Sequence, residues 1–495
     1  MSKHMWRTIA FGLCVLAVAS CAREANHHPY VTLAVSSVNI VDVEHGEILE
    51  NRTLLINTDR IVDIVDHTEF HAIEGVDTID GSDLYAMPGL WDMHMHMVND
   101  VYEPVPWDFH TPSPDSKDQR EIYLPIFLAF GVTGTRELSG GVASLELREK
   151  IRNGELLGPH MFVGSPLLDG AYPIWPDAAV IAIDGPENAR EWVTQLHAQG
   201  FDFLKTYNLL STESYRALHE RAKELRMEVS GEIPISVSLW EAAELGHRTI
   251  EHLTGVEFAC SGREDELRTA YVSRIELRNA DPESDDAEEI WRRSEWEPFE
   301  SIDPERCIEL YRYLAEQGAW VVPTLQVQFM ISHGDQSQIV NNPNLKYLSK
   351  WDRDIEAIAE EYDPEHRLRS LHDYRMTVID DMYHAGVPIL AGSDLPGGFY
   401  LHEELVRFVE GGLTPVEALR TATIEPAKYL GRSDELGSIR PGKVADVVLL
   451  RANPLEDIRN SQEIEMVIFQ GQVLKRPKLD ELLKQLEEDA KNWPE

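Results

Sequence analysis

Between Pro88 and Gly431 the sequence alternates short apolar runs with stretches of helical spacing, and that rhythm restricts the fold more than any single motif. The apolar runs are "GLWDMHMHM", "GVTGTREL", "HMFVGSPLL", "DFLKTYN", "MEVSGEIP", "RTIEHL", "WVVPTLQ" and "VPILAGSD". Between them lie patterns such as "STESYRALHERAKEL", "SLWEAAELG" and "RMTVIDDMYHAG", whose apolar residues recur at helical intervals. Strands separated by helices predict a parallel sheet with crossover connections, and eight such units match the count of a (β/α)8 barrel. Two segments break the rhythm. Ser261 to Arg306 is acidic with no clear strand and reads as an insertion; Ser332 to Arg375 reads as mostly helical and polar.

The barrel segment, residues 88–431, is bracketed by β-type sequence. Residues 31–87 alternate or run apolar between turn residues, and residues 432–475 return to the same texture in "ADVVLLRANP" and "EMVIFQGQVLKR". Neither half has enough strands for a core of its own, so both ends are expected to build one small composite β-sandwich. In residues 476–495, Leu479, Leu482, Leu483 and Leu486 fall at helical spacing and predict a terminal amphipathic helix.

The first residues have the layout of a targeting segment. Lys3, His4 and Arg7 precede an apolar run from Ile9 to Ala19 that is too short to span a bilayer. The run ends in Val18-Ala19-Ser20-Cys21, which resembles the bacterial lipoprotein box. That resemblance implies removal of residues 1–20 and a lipid on Cys21; a plain secretory signal cut near Ala19 is the alternative. Ala22 is not an Asp-type retention residue, which implies a cell-envelope protein anchored in the outer membrane and facing the periplasm. Cys260 and Cys307 then remain, and the sequence leaves their pairing open.

The chain carries 45 basic and 86 acidic residues, a net charge of −41. A surface so negative excludes a nucleic-acid partner, which requires a basic face. Chemistry instead concentrates at the ends of the apolar runs. His94 and His96 are two apart, so on a strand both imidazoles share one face and are placed to grip one metal ion. Lys205 stands in a strand flanked by Phe201, Phe203 and Leu204. A lysine there is either carboxylated by CO2 into a metal-bridging carbamate or snorkels from the strand end. His252 closes "RTIEHL", as a ligand or as a satisfied strand-end histidine. Asp394 closes "VPILAGSD", where barrel enzymes carry catalytic acids and where turn aspartates also sit.

These motifs, with "LHEEL", "GLTPVEALRTATIEPAKYLG" and "LGSIRPGKVADVVLLRANPLEDI", closely resemble the metal-dependent amidohydrolase superfamily, above all its imidazolonepropionase-like and prolidase-like hydrolases. The resemblance covers nearly all of the mature chain and implies a distorted (β/α)8 barrel with a composite β-sandwich. It also implies that His94, His96 and Asp394 bind a first metal. Carboxylated Lys205 would bridge to a second, held by His252 and the ligand of the fifth strand. Relatives commonly have Gly-His-x-Pro there; this chain has Gly231-Glu232-Ile233-Pro234, and His247 lies one strand too late to substitute. Glu232 is expected to ligate at about the same reach as imidazole, roughly 2.0–2.2 Å; a salt bridge beside a mononuclear site is the alternative. Zn2+ is the ion expected, and the carboxylate admits Mn2+ at the second position.

The implied activity is hydrolysis of an amide-type C–N bond in a dipeptide or N-acyl-amino-acid-like substrate. A metal-activated hydroxide attacks, and Asp394 is the general acid and base. Tyr207 and Arg136 are expected to contact substrate, Arg136 through a carboxylate; His402 and Glu404 are expected to support the ligands from behind. Two other readings stand beside it: a cyclic amide hydrolase of the imidazolonepropionase type, and a catalytically silent, envelope-anchored binding protein. The expected partner is a small amide or peptide, with no membrane contact beyond the lipid anchor; a homo-oligomer is compatible with the sequence.

Overall fold

The computed structural model describes residues 30–96, 119–176, 179–282, 286–334, 337–348, 353 and 367–491. The targeting segment and Cys21 lie outside the described residues. Among the described residues, no helix is long and apolar enough to cross a membrane.

Both chain ends contribute to one eight-stranded mixed sheet. From the N-terminal side come β1 (Leu33–Asp42), β2 (Glu47–Asn57), β3 (Arg60–Asp66), β4 (Asp77–Asp80) and β5 (Tyr85–Pro88). The second sheet starts immediately after, with β6 (Leu90–Met95), β7 (Val132–Glu137), β8 (His160–Gly170), β9 (Val180–Ile183), β10 (Phe203–Thr206), β11 (Glu228–Gly231), β12 (Thr249–Glu251) and β13 (Trp320–Val322). β14 (Val447–Leu450), β15 (Ile464–Phe469) and β16 (Gln472–Lys475) then return to the first sheet, where β14 pairs antiparallel with β5. That sheet runs β16-β15-β14-β5-β1-β2-β3, with β4 beside β1. It curls back on itself, since Ile61 N donates to Lys443 O at 2.9 Å and Gly442 N to Ile61 O at 2.7 Å.

The second sheet is the barrel. Its strands pair parallel in the order β6-β7-β8-β10-β11-β12-β13, with β9 as a side strand on β8. The eighth position is filled by residues 388–394, which form only an isolated bridge between Ile389 and Val321 but bond to both neighbours. Val321 N donates to Pro388 O at 3.0 Å and Leu390 N to Val321 O at 2.9 Å; on the other side, Met93 N donates to Ala391 O at 2.9 Å. The barrel is therefore closed, with a distorted seam. Gly392 explains the tightness there, because a Cβ on it would lie 2.6 Å from His94 Cβ.

Local sequence sets the surrounding helices. Ser211 and Ser238 accept from Ser214 N and Glu241 N, starting helices Thr212–Leu225 and Leu239–Leu245. Gly246 ends the second in the left-handed conformation. The terminal helix, Arg476–Ala490, buries Leu479 and Leu486 and packs on helix Gln119–Ala129 and on β15 and β16.

The acidic insertion is helical, with Glu264–Ala280, Ala287–Trp296 and a 3-10 turn over Pro298–Ser301. Its base is closed by a disulfide between Cys260 and Cys307, 47 residues apart in sequence, answering the pairing question. Gly262 N donates to Ser301 O and Asp303 N to Cys260 O, both at 2.9 Å, beside it. Buried Arg375 ties the insertion to the barrel, donating to Glu257 at 2.6 Å, Glu295 at 2.9 Å and Gln328 at 3.0 Å.

Candidate metal centre

β6 and the residue that follows it aim three side chains along one line. Asp92, His94 and His96 alternate with Trp91, Met93 and Met95, so they share the face that rises through the barrel toward its mouth. Asp92, fully buried, accepts from His94 N at 3.2 Å, Ser393 N at 3.0 Å and Ser393 Oγ at 2.7 Å. It fastens the first strand to the eighth. Asp394 N then donates to His94 O at 2.7 Å. The chain turns left-handed at Asp394, φ 56°, an unfavourable conformation for a non-glycine residue that such a framework has to hold. Asp394 Oδ1 ends 3.2 Å from His94 Nε2 and 3.1 Å from His96 Nε2. The ligand atoms of these three residues all lie within 4.8 Å of one another.

A second group stands beside the first. Lys205 at the end of β10 is buried, and its Nζ lies 3.3 Å from Glu232 Oε1 and 3.1 Å from Oε2. His252 Nε2 is 3.0 Å from Glu232 Oε1. Its ring centroid is 4.6 Å from that of His94, so the two groups adjoin. Gly231 makes room for this convergence: its φ is 122°, and a Cβ would meet Thr206 O at 2.5 Å. His252 is itself left-handed, φ 58°, and its Nδ1 is held 2.7 Å from Thr324 Oγ1. The Lys205–Glu232 contact is an ion pair. His247 sits behind β11 with its Nε2 3.2 Å from Gly231 O and does not reach the site.

Behind the ligands lies a chain of support that the sequence did not reveal. Glu251 Oε2 is 2.7 Å from His94 Nδ1, and both side chains are fully buried. That bond fixes the ring so that Nε2 faces Asp394. Glu251 in turn accepts from Arg136 at 3.0 Å and from Thr249 Oγ1 at 2.6 Å. Arg136 was expected to hold a substrate carboxylate; the structure corrects this. Its guanidinium is inside the barrel, fully buried, donating also to Met93 O at 3.1 Å and Thr249 Oγ1 at 2.8 Å, over the rings of Phe203 and Tyr429. A substrate at the mouth does not reach it.

His402 is the second correction. It lies on helix Phe399–Glu410, where its Nε2 meets Phe130 O and its Nδ1 meets Ser461 Oγ, each at 2.8 Å, on the far side from the ligands. Glu404 does face inward: it accepts from Leu325 N at 3.0 Å and Gln326 N at 2.7 Å, holding the turn that carries Thr324. Tyr207 stands beyond Lys205 and accepts from Trp175 Nε1 at 2.8 Å. Glu137, at the end of β7, was not anticipated; its Oε1 is 3.7 Å from His96 Nδ1.

Charge follows this geometry. Burial pushes the Asp394 carboxyl up, but the adjacent histidines outweigh it and hold it well below the usual range. Burial pulls His94 down, whereas Asp394 and Glu137 overcome the same effect at His96 and raise it to about 9. Burial would raise Glu251, yet Arg136 and His94 keep it ionised.

The residues fit a divalent cation. His94 Nε2 is buried without a hydrogen-bond partner and points, with His96 Nε2, at a carboxylate oxygen. Two imidazole nitrogens and one carboxylate are a zinc-type donor set with room for a water or substrate. Glu232 Oε2 is likewise buried and without a hydrogen bond, although an ammonium is near.

A model of the amidohydrolase family matches residues 85–474. Among characterised proteins, the chain is 22% identical over 423 residues to the ochratoxinase of Aspergillus niger, covering 77% of this chain and 73% of that protein. It is 22% identical over 454 residues to an adenine deaminase of Staphylothermus marinus, covering 90% of this chain and 58% of that one. Among solved structures, a Xaa-Pro dipeptidase with bound methionine superposes with a TM-score of 0.62 at 22% identity, covering 90% of this chain and 99% of that chain. A bottromycin amidohydrolase superposes with a TM-score of 0.65 at 21% identity, covering 92% and 90%.

Proposed function

Since the chain belongs to the amidohydrolase family, we propose that it hydrolyses an amide-type C–N bond in a dipeptide or N-acyl-amino-acid-like substrate. Water adds to the carbonyl carbon, the C–N bond breaks, and a carboxylic acid and an amine are released. The observation that carries the reading is the convergence of His94, His96 and Asp394 at the barrel mouth. These three residues would hold a divalent ion, zinc by the chemistry of its donors, and the ion would supply Lewis acidity for acidifying water and polarising a carbonyl. Glu251 and Arg136 keep the His94 ring aimed; Asp92 and Ser393 keep the eighth strand in register with it. Asp394 is 20% exposed, so its carboxylate faces both ligands and mouth. It takes the proton from the attacking water and returns it to the leaving nitrogen.

The names of similar proteins, a Xaa-Pro dipeptidase and a bottromycin amidohydrolase, support amide substrates of peptide type. In a second reading, Glu232, His252 and a carboxylated Lys205 would hold a second divalent ion. Its support is the 3.0 Å approach of His252 to Glu232 together with the Glu232 oxygen that lacks a hydrogen bond. The disulfide suits an oxidising compartment, which supports an envelope enzyme anchored through Cys21.

The test combines metal analysis with turnover of dipeptides, N-acyl amino acids, a cyclic amide and adenine. Metal-dependent cleavage of the first two groups is expected, falling by about 10²–10⁴ in Asp394→Asn. A chain that binds no transition metal and turns over no member of the panel is not this enzyme.

A further inference from the structure

We propose that His247 is a positioning residue for Glu232. A buried relay from Tyr215 through His247 to the Gly231 carbonyl sets the angle at which the Glu232 carboxylate meets Lys205 and His252. The role rests on the hydrolase reading above and adds to it a residue that touches neither ligands nor substrate. In sequence His247 comes one strand too late to take the place of Glu232. In the fold its ring reaches the peptide that carries Glu232.

Hydrogen bonds hold that peptide at both ends. Glu232 N donates to Thr206 O at 3.1 Å, and His247 Nε2 lies 3.2 Å from Gly231 O. A carbonyl only accepts, so Nε2 carries the ring proton and Nδ1 is left to accept from Tyr215 OH at 2.9 Å. Tyr215, His247 and Gly231 are all buried, where a lost bond is not made good by solvent. The backbone of His247 is itself fixed. Its N donates to Ala242 O at 2.9 Å, just past helix Leu239–Leu245, and Arg248 N donates to Val229 O at 2.7 Å. The ring therefore leaves an anchored point ahead of β12 and braces β11 from behind.

The need for a brace is local. The ladder between β11 and β12 is one pair long, Gly231 with Ile250, and Gly231 turns out of the strand at φ 122°. The direction taken by Glu232 is thus set by the orientation of the Gly231–Glu232 peptide rather than by a regular ladder. Past Glu232 the chain is held separately: Thr206 Oγ1 donates to Glu232 O at 2.8 Å, and Ile233 N to Thr254 Oγ1 at 3.1 Å. A tilt of the Gly231 peptide has to be taken up by Glu232 itself. Its Oε1 lies 3.0 Å from His252 Nε2 and its Oε2 3.1 Å from Lys205 Nζ, contacts that tolerate little displacement.

The experiment compares kcat and KM of the metal-loaded protein on a dipeptide for wild type, His247→Leu and His247→Gln, each with and without Glu232→Gln. His247→Leu fills the space without a donor and should lower kcat about 10–100-fold per metal-loaded folded chain, with KM changed far less. His247→Gln keeps a donor for Gly231 O and an acceptor for Tyr215 OH, and should exceed the leucine variant by about tenfold. In the Glu232→Gln background the leucine substitution should cost less than about threefold. Where that background is silent, the cycle is read in metal affinity by chelator competition, with the same coupling expected. Tyr215→Phe leaves His247 in place and removes the hydroxyl that fixes its ring. It should give a smaller loss of the same kind, and it carries the cycle if the leucine variant does not fold. Equal losses with and without Glu232→Gln, or a lowered Tm with kcat untouched, overturn the role and leave hydrolysis standing. A wild-type chain that turns over no dipeptide or N-acyl amino acid overturns the hydrolase reading and the role with it.

Discussion

Replacing Cys260 and Cys307 together by alanine should release the insertion from the barrel. The bridge spans 47 positions of sequence, and a cross-link of that length removes loop-closure entropy from the unfolded chain worth about 4 kcal/mol. The backbone bonds at the same base, Gly262 to Ser301 and Asp303 to Cys260, survive the substitution, so they do not change this difference. Two outcomes follow, according to what unfolds. For a 495-residue chain unfolding as one unit, the entropy of unfolding is on the order of 1 kcal/mol per kelvin and Tm falls by about 4 °C. Where the insertion opens alone, β12 and β13 still hold its ends together, so the bridge contributes less than this and the rise in open population is well below a thousandfold. Thermolysin digestion under native conditions, with cut sites mapped by mass spectrometry, reads the second directly: cleavage between residues 261 and 306 should accelerate first. Equal cleavage rates in variant and wild type, with equal Tm, would refute the reasoning and show that packing and backbone bonds alone seat the insertion.

Arg136→Met leaves Glu251 buried without its cation and should cost about 3–5 kcal/mol of stability by thermal or urea unfolding; a loss under 1 kcal/mol contradicts the assignment. The gentler Glu251→Gln should weaken metal affinity about 10–100-fold in chelator competition. In Lys205→Ala the first metal equivalent should stay and any second should go, with short carboxylates restoring it; two equivalents retained without additive would remove Lys205 from the bridge. Burial lowers the His402 ring to about 4, so it is neutral in the fold, while the unfolded ring takes up a proton as pH falls through about 6.5. Its contribution is thus lost from pH 6.5 down toward 4, and the stability gap between wild type and His402→Gln should narrow by roughly 3 kcal/mol over that range. A gap independent of pH, followed by urea titration, rules this out.

The barrel was legible because eight apolar runs fall between helical patterns, and the cluster at its mouth because imidazole, amine and carboxylate stand at the ends of those runs. The misreadings have geometric causes. Arg136 sits next to the strand end, where residue parity decides between interior and mouth; a single sequence shows the alternation of β7 but not which phase faces inward. His402 and Glu404 were treated as a pair, yet on a helix residues two apart point about 200° apart, so only Glu404 faces the ligands. Glu251 is not legible as a partner of the site because an extended strand sends it and His252 to opposite faces. The left-handed turn at His252 breaks that parity and lets both serve the same centre. Cys260 and Cys307 flank the insertion, but only the fold puts their Cα atoms 4.7 Å apart.

The distorted eighth strand has a consequence for how this molecule is made. His94 and Asp394 are brought together by the same short seam that closes the barrel, through Asp394 N to His94 O and through Asp92 to Ser393. Among the described residues the third member of this group is Asp394, so nearly the whole barrel has to be threaded before the group is complete. Long-range closure of this kind is slow. An immature chain with an open seam therefore lacks the complete candidate metal-binding group, however well its separate strands are formed.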